Sequence, residues 1–89
     1  MNAPYRVIIL PSAIRAARRF PRIVLGRLYK HMESLATIPF PQGVEKMEGY
    51  KHTYRMRVGD YRLVYEVASA IRIVTVIRVG HRKDIYRRL

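Results

Sequence analysis

Three arginines in one twelve-residue run have the types and spacing to hold a phosphate: Arg55, Arg57 and Arg62, within Tyr54-Arg55-Met56-Arg57-Val58-Gly59-Asp60-Tyr61-Arg62-Leu63-Val64-Tyr65. Apolar and basic residues alternate on either side of Gly59-Asp60, the pattern of a β-hairpin closed by a two-residue turn in which glycine supplies the positive φ. Such a turn pairs Val58 with Tyr61, Arg57 with Arg62, Met56 with Leu63 and Tyr54 with Tyr65. Arg57 and Arg62 then sit directly opposite one another. Like charges so placed disfavour a sheet by about 0.2–1 kcal/mol, so a chain that keeps them there is matched to a polyanion between them. Arg55 joins the same face by the period of two. The competing reading is a solvated sheet face whose arginines serve solubility.

Composition narrows the partner. The 89 residues carry 18 Lys plus Arg against 6 Asp plus Glu, a net charge of +12, which calls for an anionic partner: nucleic acid first, then anionic membrane or an acidic protein. Fourteen of the basic residues are arginine, whose planar fork suits bidentate phosphate recognition and stacking on bases. With no cysteine and three scattered histidines, neither disulfides nor a thiolate or structural zinc site is expected, and no cofactor is called for. No apolar run reaches the roughly 20 residues of a membrane span, and the N-terminus lacks a long uninterrupted apolar region. A single cytoplasmic domain over residues 1–89 is expected.

The elements that must position the arginines follow from patterning. Residues 5–10 are rich in β-branched side chains and closed by Pro11, a first strand. Ser12 is a good N-cap, and Ala13, Ala16, Ala17 and Phe20 recur at helical spacing over residues 13–20. Pro21 breaks this helix and is tolerated in the first turn of a second one running to about residue 38, with Val24 or Leu25, Leu28, Met32 and Leu35 inward and Arg22, Arg27, Lys30 and Glu33 outward. Pro39-Phe40-Pro41 forbids continuation. A short extended piece over residues 44–47 precedes the hairpin, and after a turn at Ala68-Ser69-Ala70 the stretch 71–79, apolar or β-branched except at Arg72 and Arg78, reads as a strand buried on both faces. The order β-α-α-β-β-β predicts an α+β fold: two N-terminal helices on one face of a mainly antiparallel four- to five-stranded sheet, the other face open and carrying the arginines.

Three blocks, Lys46-Met47-Glu48-Gly49, the arginine run itself, and Val79-Gly80-His81-Arg82-Lys83-Asp84-Ile85-Tyr86, closely resemble the RelE/ParE toxin superfamily, the RelE branch above all. The resemblance spans essentially the whole chain. It implies the toxin of a toxin–antitoxin pair that cleaves mRNA in the ribosomal A site and is silenced by a small acidic or amphipathic RelB-like antitoxin. Carried over by position, the family's catalytic basic residues fall on Arg55, Arg57 and Arg62, and the arginine and tyrosine of its C-terminal block on Arg82 and Tyr86. The best-known RelE pattern has lysines where this chain has Arg55 and Arg57.

The chemistry agrees with that placement. Cleavage of RNA by its own 2′-hydroxyl needs in-line positioning, stabilisation of a dianionic phosphorane, a base for the 2′-hydroxyl and an acid for the 5′-oxygen. Arginine is permanently cationic and suits only the stabilising task, so Arg55, Arg57, Arg62 and Arg82 are expected to clamp phosphate. For proton transfer His81 is a candidate because histidine titrates near neutrality, against the plain reading of a strand-end histidine bonded to backbone. Tyr86 is the other candidate, as acid, as orienter of the base, or as a stacking platform for a base. Lys51 and Lys83 are expected on the RNA backbone, against mere solvation, while His31 and His52 read as surface residues and Tyr50, Tyr54, Tyr61 and Tyr65 as structural. A ParE-like toxin that inhibits DNA gyrase without nuclease activity is the alternative in another class, and a non-toxic RNA-binding module a third.

Overall fold

In the computed structural model, which describes residues 4–81, seven elements follow one another: β1 (Arg6–Ile9), α1 (Pro11–Ala17), α2 (Arg22–Ser34), β2 (Glu45–Lys46), β3 (Thr53–Val58), β4 (Tyr61–Ala68) and β5 (Ile73–His81). The strands form one five-stranded sheet in the order β1-β5-β4-β3-β2. β1 runs parallel to β5, and the other neighbours are antiparallel. The two helices carry the chain from β1 at one edge to β2 at the other, and the strands β2 to β5 return it beside β1, the long connection that parallel neighbours need.

Prolines set the helix limits. α1 begins at Pro11, two residues earlier than a Ser12 cap would place it; Leu10 is the cap residue, with no side-chain bond to the helix end. Proline at the first helical position has its φ pre-set and lacks only an N–H that would be orphaned anyway. α1 ends at Ala17 rather than Phe20, since Pro21 disfavours helical backbone at the residue before it; the Phe20 N–H instead donates to the Ala17 carbonyl at 3.0 Å. α2 ends at Ser34, four residues short of expectation. Its exit is wound tighter, with Leu35, Ala36 and Thr37 N–H groups each donating three residues back, which draws the chain off the helix axis before Pro39.

Both helices cover the same face of the sheet. Ala13 and Ala17 of α1 and Leu28 and Met32 of α2, with Leu35 just beyond it, close over Met56, Val58, Leu63, Tyr65, Val67, Val74, Val76 and Val79. Ala16, Phe20, Val24 and Leu25 pack at the margin. The strand residues are those the period of two assigns to one side. Tyr65, wholly buried, donates its hydroxyl to the Pro39 carbonyl at 2.9 Å, which fastens the loop after α2 to the centre of the sheet. Its ring stacks on Tyr54 at 5.9 Å, and Tyr54 meets Phe40 edge-on at 5.1 Å.

Burial, with Tyr54 beside it, raises the Tyr65 phenol well above the usual tyrosine range. The folded chain therefore holds this proton where the unfolded chain has released it, so the phenol's contribution to stability is complete below about pH 10 and is lost as pH rises above that value. Denaturant titrations from pH 8 to 11 are expected to show stability falling above pH 10, with a shallower fall for Tyr65→Phe. At pH 7 that variant is expected to lose about 0.5–1.5 kcal/mol, the net worth of the bond to Pro39.

Strand β5 departs from expectation at both ends. Arg72 lies in the turn before it with φ of 55°, its guanidinium 4.5 Å over the Tyr5 ring, a cation–π contact that helps hold an unfavourable backbone. Within β5, Val64 pairs with Arg78 but Tyr65 pairs with Val76, so Ile77 is an extra residue, a β-bulge. Only the helix side of β5 is fully buried: Val74, Val76 and Val79 are covered, while Ile73, Thr75 and Arg78 are half-exposed.

Candidate functional site

The β3/β4 hairpin has the register that its turn requires. Gly59 takes φ of 62°, and Val58 pairs with Tyr61, Arg57 with Arg62, Met56 with Leu63 and Tyr54 with Tyr65. Arg57 and Arg62 thus face each other across adjacent strands on the side away from the helices. Arg57 is exposed, its Nε 3.4 Å from the Gly59 carbonyl; Arg62 is half-buried and donates from Nη1 to the Tyr61 carbonyl at 3.3 Å. Both are long, weak bonds to local backbone.

The bulge at Ile77 enlarges this face. Beyond it, Arg78 and Gly80 point to the arginine side, with Arg78 beside Val64 and Gly80 beside Arg62. One row across three strands reads Arg55, Val64, Arg78, and the next reads Arg57, Arg62, Gly80. Val64 is fully buried although it faces away from the helices; long arginine stems on either side are suited to cover it. Glycine at position 80 leaves no side chain standing next to Arg62. Arg78 was not among the residues singled out from the sequence, because its side of the sheet is decided by the bulge.

Arg55 stands on the same face and is met by Glu45 of β2, its register partner, at 3.4 Å. Glu45 is 66% exposed. Exposed pairs of this kind contribute about 0–1 kcal/mol, so the carboxylate holds Arg55 in place without removing it from an incoming phosphate. Lys51 is exposed in the loop before β3. Arg82, Lys83 and Tyr86 lie outside the described residues.

His81 is not brought together with the arginines. It pairs with Tyr61 and so points to the helix side, its ring edge-on to Tyr61 at 5.4 Å, with Phe20 on the same tyrosine at 4.7 Å. The extra residue at Ile77 turns His81 away from the arginine side, as any one-residue slip reverses all later side chains. His31 and His52 are exposed; the His31 Nδ1 bonds the Arg27 carbonyl at 2.8 Å. Tyr54, Tyr61 and Tyr65 pack as structural residues, whereas Tyr50, grouped with them from the sequence, is 46% exposed. Among the described residues no three metal-ligating side chains cluster, and no helix is long and apolar enough to cross a membrane.

The described face can therefore surround a phosphodiester with cations while offering no proton-transfer group of its own beside Arg57 and Arg62. Known proteins share this framework. The family model of the ParE toxin of type II toxin–antitoxin systems matches residues 6–86. Toxin RelG of Mycobacterium tuberculosis is 31% identical over 86 residues, covering 96% of this chain and 99% of its own. Among solved structures, the RelE–RelB complex from Pyrococcus horikoshii is similar with a TM-score of 0.80 and 28% identity, covering 89% of this chain and 96% of that one. The RelBE2 toxin–antitoxin complex of M. tuberculosis aligns with a TM-score of 0.77, 28% identity, and coverage of 89% and 99%. A family match over nearly the full length, a RelG relative of the same size and RelE structures of the same topology lead to one assignment: the chain belongs to the ParE toxin family of type II toxin–antitoxin systems, and to the RelE-type branch of the RelE/ParE superfamily.

Proposed function

We propose that this toxin is a metal-independent endoribonuclease that acts in the cytoplasm, cleaving messenger in the ribosomal A site through attack of a 2′-hydroxyl on the adjacent phosphate. The observation that carries the proposal is the cross-strand pair Arg57–Arg62 on the sheet face away from the helices. Two like charges opposed at strand spacing are stabilised by an anion between them. In this reading Arg57 and Arg62 grip the scissile phosphate and stabilise charge developing on the phosphorane, where preorganised donors act most strongly. Arg55, held by Glu45, and Arg78 extend the clamp along the backbone, and Arg82 completes it, with Lys51 and Lys83 on flanking RNA. Proton transfer is assigned to Tyr86, the other candidate from the sequence, which lies outside the described residues.

His81 takes a supporting place in this scheme, against the expectation that made it a proton-transfer candidate. Its ring packs on Tyr61, so His81→Ala is expected to lower the melting temperature by several degrees while single-turnover cleavage stays within about fivefold of the parent. A loss of about a hundredfold or more, the size of a general acid–base contribution, would return His81 to the chemistry.

The proposed inhibitor is a RelB-like antitoxin, acidic or amphipathic. Charge complementarity to a +12 chain supports it, as do the crystal structures of related RelE toxins with RelB. A second reading, gyrase inhibition without nuclease activity, is favoured by the ParE description of the matching family model. Purified toxin added to a translating extract, with a gyrase supercoiling assay run beside it, separates the two. Truncated messenger with unimpaired supercoiling is the expected result; intact messenger with blocked supercoiling would reverse the choice.

A further inference from the structure

A groove at the start of β3 remains unused by the clamp. Residues 49–53 and the end of β4 border an open groove of about 380 Å³ lined by Tyr50, Lys51, His52, Thr53, Glu66 and Val67. Its loop is tied to the sheet: Val67 N–H donates to the His52 carbonyl at 3.0 Å, Met47 N–H to Thr53 at 2.8 Å and Tyr50 N–H to Met47 at 3.3 Å. Tyr50 is 46% exposed there, an aromatic ring presented to solvent from a braced loop. Glu66 is exposed, opposite Thr53 in register, and shares the face of Arg55, Arg57 and Arg62 by alternation.

Glu66 is one of only six acidic residues, and it makes no ion pair among the described residues. A carboxylate on a phosphate-binding face repels the backbone but accepts from N–H groups of base edges. Guanine presents two adjacent donors on its Watson–Crick edge, the ring N–H and the exocyclic amino group, which match two carboxylate oxygens. Cytosine and adenine present one amino group beside a ring acceptor, and uracil one N–H between carbonyls. An exposed tyrosine supplies the stacking surface that any base uses. Glu66 lies four residues from Arg62 along β4, about 13 Å at roughly 3.3 Å per residue, so one extended RNA strand reaches both.

We infer that the groove formed by Tyr50, Lys51 and Glu66 is a guanine subsite for the RNA strand whose phosphate the arginines hold, a specificity element that rests on the RNA-cleaving reading above. Tyr50 stacks on the base, Glu66 accepts from its Watson–Crick edge, and Lys51 neutralises the neighbouring phosphate. The test is binding of the full chain to short single-stranded RNA with every ribose 2′-O-methylated to prevent cleavage, carrying either one guanosine or one adenosine at the same position. Fluorescence anisotropy and amide chemical shifts are the readouts. The guanosine oligomer is expected to bind roughly tenfold tighter, Glu66→Ala to equalise the two, Tyr50→Ala to weaken both by about tenfold, and Tyr50→Phe to restore affinity. Both side chains are exposed, so the variants retain the fold, and melting curves check this. Persistence of the guanosine preference in Glu66→Ala, or shifts at Arg57 and Arg62 with none at residues 50–53, overturns the subsite and leaves the RNA reading standing. Binding of neither oligomer, with no shift at either place, also overturns the subsite, while the RNA-cleaving reading falls only if messenger stays intact in the translating extract.

Discussion

Replacing Arg57 and Arg62 together with alanine is expected to slow messenger cleavage about a thousandfold or more while the chain still folds. Each preorganised donor at developing charge is worth about 10²–10³ in rate, and because the two act on one phosphate their losses overlap rather than multiply. The stability change runs differently. Removing the opposed charges relieves about 0.2–1 kcal/mol of cross-strand repulsion, which offsets the packing lost from the half-buried Arg62 stem. Melting is therefore expected within a few degrees of the parent, at about 4–8 °C per kcal/mol for a domain of this size. Single-turnover cleavage and thermal melting of the same preparation check both halves. An inactive variant that melts far below the parent would assign the arginines to the fold; an active one would remove them from the site.

Leu63→Ala has the largest expected effect on stability. Leu63 is fully buried in the cluster that joins both helices to the sheet, and emptying such a position costs about 2–5 kcal/mol, the removed contacts plus the cavity left behind. Domains have only about 5–15 kcal/mol in total, so the variant is expected to melt at least ten degrees lower in a denaturant or thermal scan. Its neighbour in the chain, Arg62, projects from the other face. Cleavage measured well below the new melting temperature is consequently expected to stay near the parent rate, which separates the core's role from that of the arginines.

The hairpin was legible because one turn decides it. A two-residue turn with glycine at positive φ leaves a single register, and that register places Arg57 opposite Arg62 and Tyr54, Met56, Leu63 and Tyr65 together under the helices. The helices were legible from the spacing of Leu28, Met32 and Leu35. Their ends were not, because Pro11 and Pro21 act on neighbouring backbone as much as on their own positions. In β5 the β-branched run 73–77 has too little alternation to reveal a bulge, and the one extra residue at Ile77 exchanges the faces of Arg78 and His81. That single residue sets Arg78 among the arginines and turns His81, a candidate for its titration range and its place beside Arg82, away from them. Glu45 escaped notice because β2 is two residues long, too short for any periodicity, and only its pairing to β3 sets it against Arg55.

The central claim is that the arginine face holds a phosphodiester for attack by its own 2′-oxygen. The most direct measurement is cleavage of messenger on programmed ribosomes in which one ribose, at the attacking position of the A-site codon, is replaced by 2′-deoxyribose. The account predicts cutting of the all-ribose messenger and none of the deoxy-substituted one. Equal cutting of both would mean that water, not the 2′-hydroxyl, is the nucleophile, and an uncut all-ribose messenger would contradict the account outright.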